Sequence, residues 1–259
     1  MKILKYIAVL FLTATIASCS SSSEDDLIGE GNVRLEFDNA YKTSDLLLKT
    51  TPYKANETEK IKISKVKYIV SNIRLENATG NVFTYPKNDS YFIVDEEVET
   101  SQFITLTGVP ADNYTKVTFG IGVDQEKYLE GATGQGDFLS KAKEAGMMWS
   151  WQAGYKFIVF EGMYTSSTTT TETAFAFHMG SHGTAVDNYK EVTLNLTNSA
   201  RVRTNATPEI HIVSNVANIL DGTTKFMLDD APQIHVDGLK SPQIATNVNG
   251  MFSVNHVHN

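Results

Sequence analysis

The sequence predicts an all-β fold, a β-sandwich of antiparallel strands with one or two short helices in the loops. Three observations predict it: short stretches of alternating apolar and polar residues, turn residues that separate them at regular intervals, and a hydrophobic content of 41% that supports a core. Val33-Arg34-Leu35-Glu36-Phe37 alternates cleanly and puts Val33, Leu35 and Phe37 on one face. Residues 61–70 mostly alternate, Ile73 and Leu75 continue the pattern, and Asn77-Ala78-Thr79-Gly80-Asn81 reads as a turn. Further strands are expected at residues 91–94, 102–106, 116–121, 155–163, 174–177, 189–196 and 209–213.

Two segments break the strand pattern. Between Gly136 and Gly146, Asp137 reads as an N-cap ahead of Phe138, Leu139 and Ala142, which predicts a short helix. A second helix is expected from Asn215 to Leu220, ending at Asp221-Gly222. The run of hydroxyl residues from Thr165 to Thr171 reads as a solvated hairpin tip. No internal repeat is visible.

The N-terminus has the three zones of a secretory signal. Lys2 and Lys5 supply charge, an apolar run extends from Tyr6 to Ile16, and the small residues Ala17 and Ser18 precede Cys19. Ile16-Ala17-Ser18-Cys19 resembles a bacterial lipobox, which predicts cleavage before Cys19 and lipidation of its thiol. The organisation expected is a signal peptide over residues 1–18, a lipidated Cys19 with a flexible acidic tether over 19–31, and a single domain over 32–259. The address is then an outer-membrane lipoprotein, facing the periplasm or displayed on the surface. The acidic residues Glu24, Asp25 and Asp26 resemble a surface-export signal of Bacteroidetes lipoproteins, although a solubilising tether has the same composition.

Net charge is −8, and loss of Lys2 and Lys5 with the signal brings it to about −10. That balance argues against nucleic acid and anionic headgroups, both of which want basic patches. Cys19 is the only cysteine, so acylation leaves no thiol for a disulfide or a nucleophile. A metal site must then use imidazole, carboxylate or thioether. No phosphate-binding glycine loop or serine-hydrolase elbow is present, and His178 and His182 lack the glutamate that a zinc protease places after its first histidine.

Three segments hold residues with chemistry. Met148-Trp149-Ser150-Trp151 contains both tryptophans, which read first as core aromatics and otherwise as the lining of a pocket. Phe177-His178-Met179-Gly180 ends a strand, and His182 follows four residues after His178. Two histidines with a soft Met beside them raise the case for metal over a merely hydrogen-bonded imidazole. At the C-terminus, alternation puts His256 and His258 on one face of an extended strand, where they could share an ion, or else the tail frays. His211 and His235, each flanked by Ile or Val, read as structural histidines. Met148 and Met179, each taken singly, read first as filling gaps in a core.

The blocks Phe119-Gly120-Ile121-Gly122-Val123-Asp124, Met148-Trp149-Ser150-Trp151 with Gly154-Tyr155-Lys156-Phe157 and Glu161-Gly162, and Phe177-His178-Met179-Gly180 resemble the MbnP-like family. These are periplasmic or surface copper-associated proteins named from a methanobactin operon. The resemblance runs from about Val33 to the end of the chain and implies a β-rich domain that binds copper through histidines. It also implies, for some members, a tryptophan oxidised to kynurenine by a diheme partner enzyme of the MauG type. His178 matches the family's Phe-His-x-Gly histidine, and Trp149 or Trp151 falls in its tryptophan motif.

The expectation is therefore a non-enzymatic, lipid-anchored copper-binding protein, with His178, His182, His256 and His258 as ligands and Trp149, Trp151, Met148 and Met179 lining the site. A glycan- or protein-binding surface module without metal is the rival. A carboxylate-based hydrolase invoking Asp124, Glu126 and Glu161 ranks below both, because no paired-acid signature surrounds them.

Overall fold

The computed structural model describes residues 27–150, 154–181, 185–235 and 237–259. Cys19, Trp151 and His182, and the expected signal peptide and lipidation site, lie outside the described residues. In chain order the elements are β1 (Glu30–Tyr41), β2 (Ser44–Asp45), β3 (Pro52–Lys54), β4 (Lys60–Asn77), β5 (Val82–Thr84), β6 (Tyr91–Asp95), β7 (Phe103–Pro110) and β8 (Asp112–Ile121). Three short helices follow, α1 (Gln125–Leu129), α2 (Gly131–Gly134) and α3 (Asp137–Glu144). Next come β9 (Met148–Ser150), β10 (Gly154–Tyr155), β11 (Ile158–Thr165), β12 (Thr173–Met179), β13 (Lys190–Val202) and β14 (Glu209–Asn215). The remainder is α4 (Asn218–Asp221), β15 (Gln233–Ile234), α5 (Lys240–Asn249) and β16 (Phe252–His258).

Among the described residues these strands make an all-β sandwich. One sheet runs β16-β14-β1-β2, with β7 also paired to β1; the other runs β13-β8-β4-β11-β12-β15, with β3, β5 and β6 paired to β4. The long strand β4 is the hub. It pairs with β11 over its first half and with β8 over its second. Ile69 marks the handover, its N–H donating to Phe157 O and its carbonyl accepting from Gly122 N, each at 3.0 Å.

Strand alternation builds the core as the sequence predicts. Leu35 and Phe37 on β1, Ile210 and Ile212 on β14, and Phe175 and Phe177 on β12 are all buried. Phe37, Phe119 and Phe252 meet edge to face across the sandwich, with ring centroids 5.1–6.3 Å apart. Tyr68 adds a polar tie, its hydroxyl lying 3.0 Å from both Asn39 Oδ1 and Ser214 Oγ in the other sheet. That satisfies three buried groups which would otherwise each cost about 1–3 kcal/mol.

Several local expectations are corrected. Two pairings are parallel, β1 with β14 and β12 with β15, because alternation reports which face a residue occupies and not strand direction. Gly136, not Asp137, is the N-cap of α3 and has a positive φ of 55°. The second expected helix is reduced to α4, since Asn215 still belongs to β14. The strand expected from residue 155 to 163 breaks after Tyr155 and resumes at Ile158. β1 begins at Glu30, so its first two residues fall within the segment read as tether.

The C-terminal segment does not fray: β16 pairs with β14. The hydroxyl-rich turn between β11 and β12 is held by Asp229, which accepts from Ser166, Thr168 and Thr169 at 2.6–2.9 Å. Among the described residues no helix is long and apolar enough to cross a membrane.

Candidate functional site

The tryptophan and histidine motifs come together at one end of β11 and β12. Pairing of the two strands sets Ile158 against Met179 and Val159 against His178, and Phe157 N–H donates to Met179 O at 2.6 Å. β9 and β10 form a small ribbon beside them, with Tyr155 opposite Met148. Gly180 makes the close approach possible. A Cβ there would collide with the Tyr155 carbonyl oxygen and would sit 3.0 Å from Cζ3 of Trp149. The benzo edge of half-buried Trp149 thus lies against the bare backbone two residues after His178.

His178 is buried, although it faces away from the core residues Phe177 and Met179 that flank it. Its Nε2 lies 2.7 Å from Oε1 of Glu161, the diagonal cross-strand neighbour on β11. Lys65 of β4 donates to the other Glu161 oxygen at 2.9 Å. On the opposite side, β15 runs parallel to β12 with Phe177 against Ile234, so the residue that follows each of them is a histidine. The Nδ1 atoms of His178 and His235 are 2.9 Å apart.

Protonation follows from these partners. Burial opposes ionisation of Glu161, but Lys65 and His178 outweigh it and lower its pKa, so the group is a carboxylate that can only accept. Burial lowers the His178 pKa, with Lys156 and His235 acting in the same direction against Glu161, which favours neutral imidazole. Neutral His178 then donates Nε2–H to Glu161 and turns the Nδ1 lone pair toward His235. A carboxylate that fixes the tautomer while the other ring nitrogen faces a second imidazole is the arrangement metal-ligating histidines use.

The remaining expected site residues are distributed differently. Met179 is fully buried and faces the core, away from the His178 ring; Met148 is half-buried and packs against the core. His256 and His258 lie on β16 in the other sheet, beside His211. His178 thus has His235 beside it, and His256 has His211 as well as His258; His235 and His211 are the two histidines whose local context reads as structural. The repeated signal that could have found them is a histidine between branched aliphatics, as in Ile210-His211-Ile212 and Ile234-His235-Val236, placed on an outward face. Among the described residues, no three His, Cys or acidic groups already converge as a closed metal site.

The glycine-rich corner after β8 has a structural role. Asp124 caps α1 by accepting from Lys127 N at 3.0 Å, and it also accepts from Asn72 Nδ2, Tyr91 Oη and Lys87 Nζ at 2.6–3.0 Å. Gly122, with φ of 100°, lies against the Phe157 ring, where a side chain would collide. The corner therefore fixes the start of the segment that leads into β11. Glu126 is exposed and pairs with Lys87.

A family model for MbnP matches residues 30–236. No curated protein matches the chain. Among solved structures, MbnP from Methylosinus trichosporium is similar, at 15% identity and a TM-score of 0.48, covering 82% of this chain and 83% of that one. The family model spans the chain from β1 through β15 and takes in the tryptophan block, Glu161, His178 and His235; the chain belongs to the MbnP family.

Proposed function

We propose that this chain is a lipid-anchored, non-enzymatic cell-envelope protein that binds copper at His178 and His235, and that it serves copper acquisition or homeostasis. The observation that carries the reading is the run Glu161–His178–His235, in which a carboxylate orients one buried imidazole toward the nitrogen of another. Imidazole suits both oxidation states of copper, and the 2.9 Å Nδ1 separation lets one cation replace the proton the rings share after a small opening. The donor set present therefore fits copper. Trp149 lies against Gly180 and so belongs to the same end of the strand pair. His182 and Trp151 are the further candidates from the sequence.

In this reading, Cys19 carries the lipid and tethers the domain to the outer membrane, facing the periplasm or the cell surface. A diheme enzyme of the MauG type is the partner that would oxidise Trp149 or Trp151 to kynurenine. Copper titration of the metal-free mature protein tests the metal. Binding that weakens strongly in both His178→Ala and His235→Ala supports the reading, whereas binding untouched by either variant overturns it. Intact mass of protein from its native host tests the tryptophan oxidation, and palmitate labelling with Cys19→Ala as control tests the anchor.

A further inference from the structure

The outer face of the β16-β14-β1 sheet carries a second group of imidazoles. β14 is the centre of the arrangement: its His211 pairs with His256 of β16 on one side and with Glu36 of β1 on the other. Paired residues in a sheet share a face, and alternation adds His258 and Asp38 to it. Leu35, Phe37, Ile210, Ile212 and Val257, which intervene along these strands, are buried in the core, so the histidines and carboxylates face outward. None of this group touches the His178 site, which lies on the other sheet.

The ring geometry is close. Nε2 of His256 and Nε2 of His258 are 2.7 Å apart, and the His211 and His256 ring centroids are 4.8 Å apart. A register shift between His211 and Ile212 makes Asn255 the extra residue of a bulge, and its Oδ1 lies 2.8 Å from His256 Nδ1. An amide oxygen can only accept, so Nδ1 of His256 carries the proton and its Nε2 presents a lone pair to His258. His211 Nε2 is 3.0 Å from Asp38 Oδ2, and its Nδ1 is 3.8 Å from Glu36 Oε2. Both nitrogens of His211 therefore face carboxylates of β1, and its ring must turn for Nδ1 to join the pair on β16.

His258 can donate its Nε2–H to the Nε2 lone pair of His256, and a cation can replace the proton held between them. We propose that His256, His258 and His211 form a second metal site, for a borderline divalent first-row cation such as Zn²⁺ or Cu²⁺, with Asp38 orienting His211 and Glu36 supplying charge or the fourth ligand. Metal–nitrogen bonds of about 2.0–2.1 Å in tetrahedral geometry set two ligating nitrogens about 3.3–3.4 Å apart. The Nε2 pair at 2.7 Å reaches that by a small rotation of the exposed His258 ring. The site uses β16, which lies beyond the residues matched by the family model, so it belongs to this chain independently of the copper reading.

Zinc chloride is the probe, because it is redox-inert and needs no modified tryptophan. Titration calorimetry on the mature protein is expected to show zinc uptake that disappears in the His256→Gln/His258→Gln double variant and persists in His178→Ala. Asp38→Asn is expected to weaken it about tenfold, as loss of a group that orients a metal-bound histidine does. Imidazole nitrogen NMR of the unmutated protein reads the same site without relying on the variant's fold: the His211, His256 and His258 resonances should shift on zinc addition. Absence of zinc binding, zinc uptake unchanged in the double variant, or shifts confined to His178 and His235 would each overturn the proposal. Failure of copper binding at His178 with zinc retained on this face would sink the copper reading and leave this one standing.

Discussion

Trp149 sets its benzo edge against Gly180, 3.0 Å from where a side chain of that residue would begin. This contact joins two motifs separated by about thirty residues of sequence and makes them one structural unit. Gly180→Ala should therefore act as an overpacking substitution, its Cβ colliding with the Tyr155 carbonyl oxygen and pressing on the Trp149 ring, at a cost of about 1–3 kcal/mol. Urea unfolding measures the loss. Tryptophan fluorescence should shift at the same time, because the indole must give way beside the new methyl group. A variant of native stability and emission would contradict the contact.

Glu161 holds His178 in one tautomer. Glu161→Gln keeps the shape but offers a weaker acceptor and removes the ion pair with Lys65. If the His178–His235 pair is the copper site, affinity should fall about 10–100-fold with little change in fold. Competition titration against a chelator reads the affinity, and circular dichroism checks the fold.

Asp124 makes a pH prediction. Burial opposes its ionisation, but hydrogen bonds from Asn72, Tyr91, the Lys127 amide and Lys87 outweigh that and lower its pKa to about 2. A carboxylate depressed in the folded state stabilises fully above its unfolded pKa near 3.8 and loses that stabilisation as pH falls toward 2. The shift corresponds to about 2 kcal/mol. Asp124→Asn should be less stable than the parent by that order at pH 5, and the gap should close near pH 2. An equal gap at both pH values would show that ionisation is not the source.

Glu96 predicts the opposite slope. Burial raises its pKa to about 7, with Asp45, Asp38 and Asp95 adding to it against the hydrogen bond from Asn39. The folded state then holds the proton more tightly than the unfolded one, so stability falls as pH rises between about 4.5 and 7. The cost above pH 7 is about 2–3 kcal/mol. Glu96→Gln can still accept from Asn39 and Gln102, and it should raise the melting temperature at pH 8 while giving no gain at pH 4. A thermal melt series across pH checks the crossover.

Much of the fold is legible in the sequence because burial alternates so regularly. Val33, Leu35 and Phe37, and later Phe175 and Phe177, point inward as their spacing predicts. What alternation leaves open is which strands are neighbours. His235 and His211 sit in ordinary aliphatic contexts, and only the pairings of β15 with β12 and of β14 with β16 put each beside another imidazole. The same limit explains Met179. Its sequence position next to His178 suggests a shared site, yet adjacent residues of a strand face opposite ways and its thioether is in the core. α5 is missed because Ser241, Pro242 and the two asparagines weaken its helical signal, although Ile244, Ala245 and Val248 pack inward.

The parallel pairing of β1 with β14 also has a kinetic consequence. Arg34 and Glu209 are register partners separated by 175 residues. A chain made from its N-terminus presents β1 long before its parallel neighbour β14 exists. Closing so large a loop costs entropy in advance of any contact that repays it, and topologies of this kind fold slowly. β7 can cover one edge of β1 early, but the edge that takes β14 stays open until most of the chain has been made.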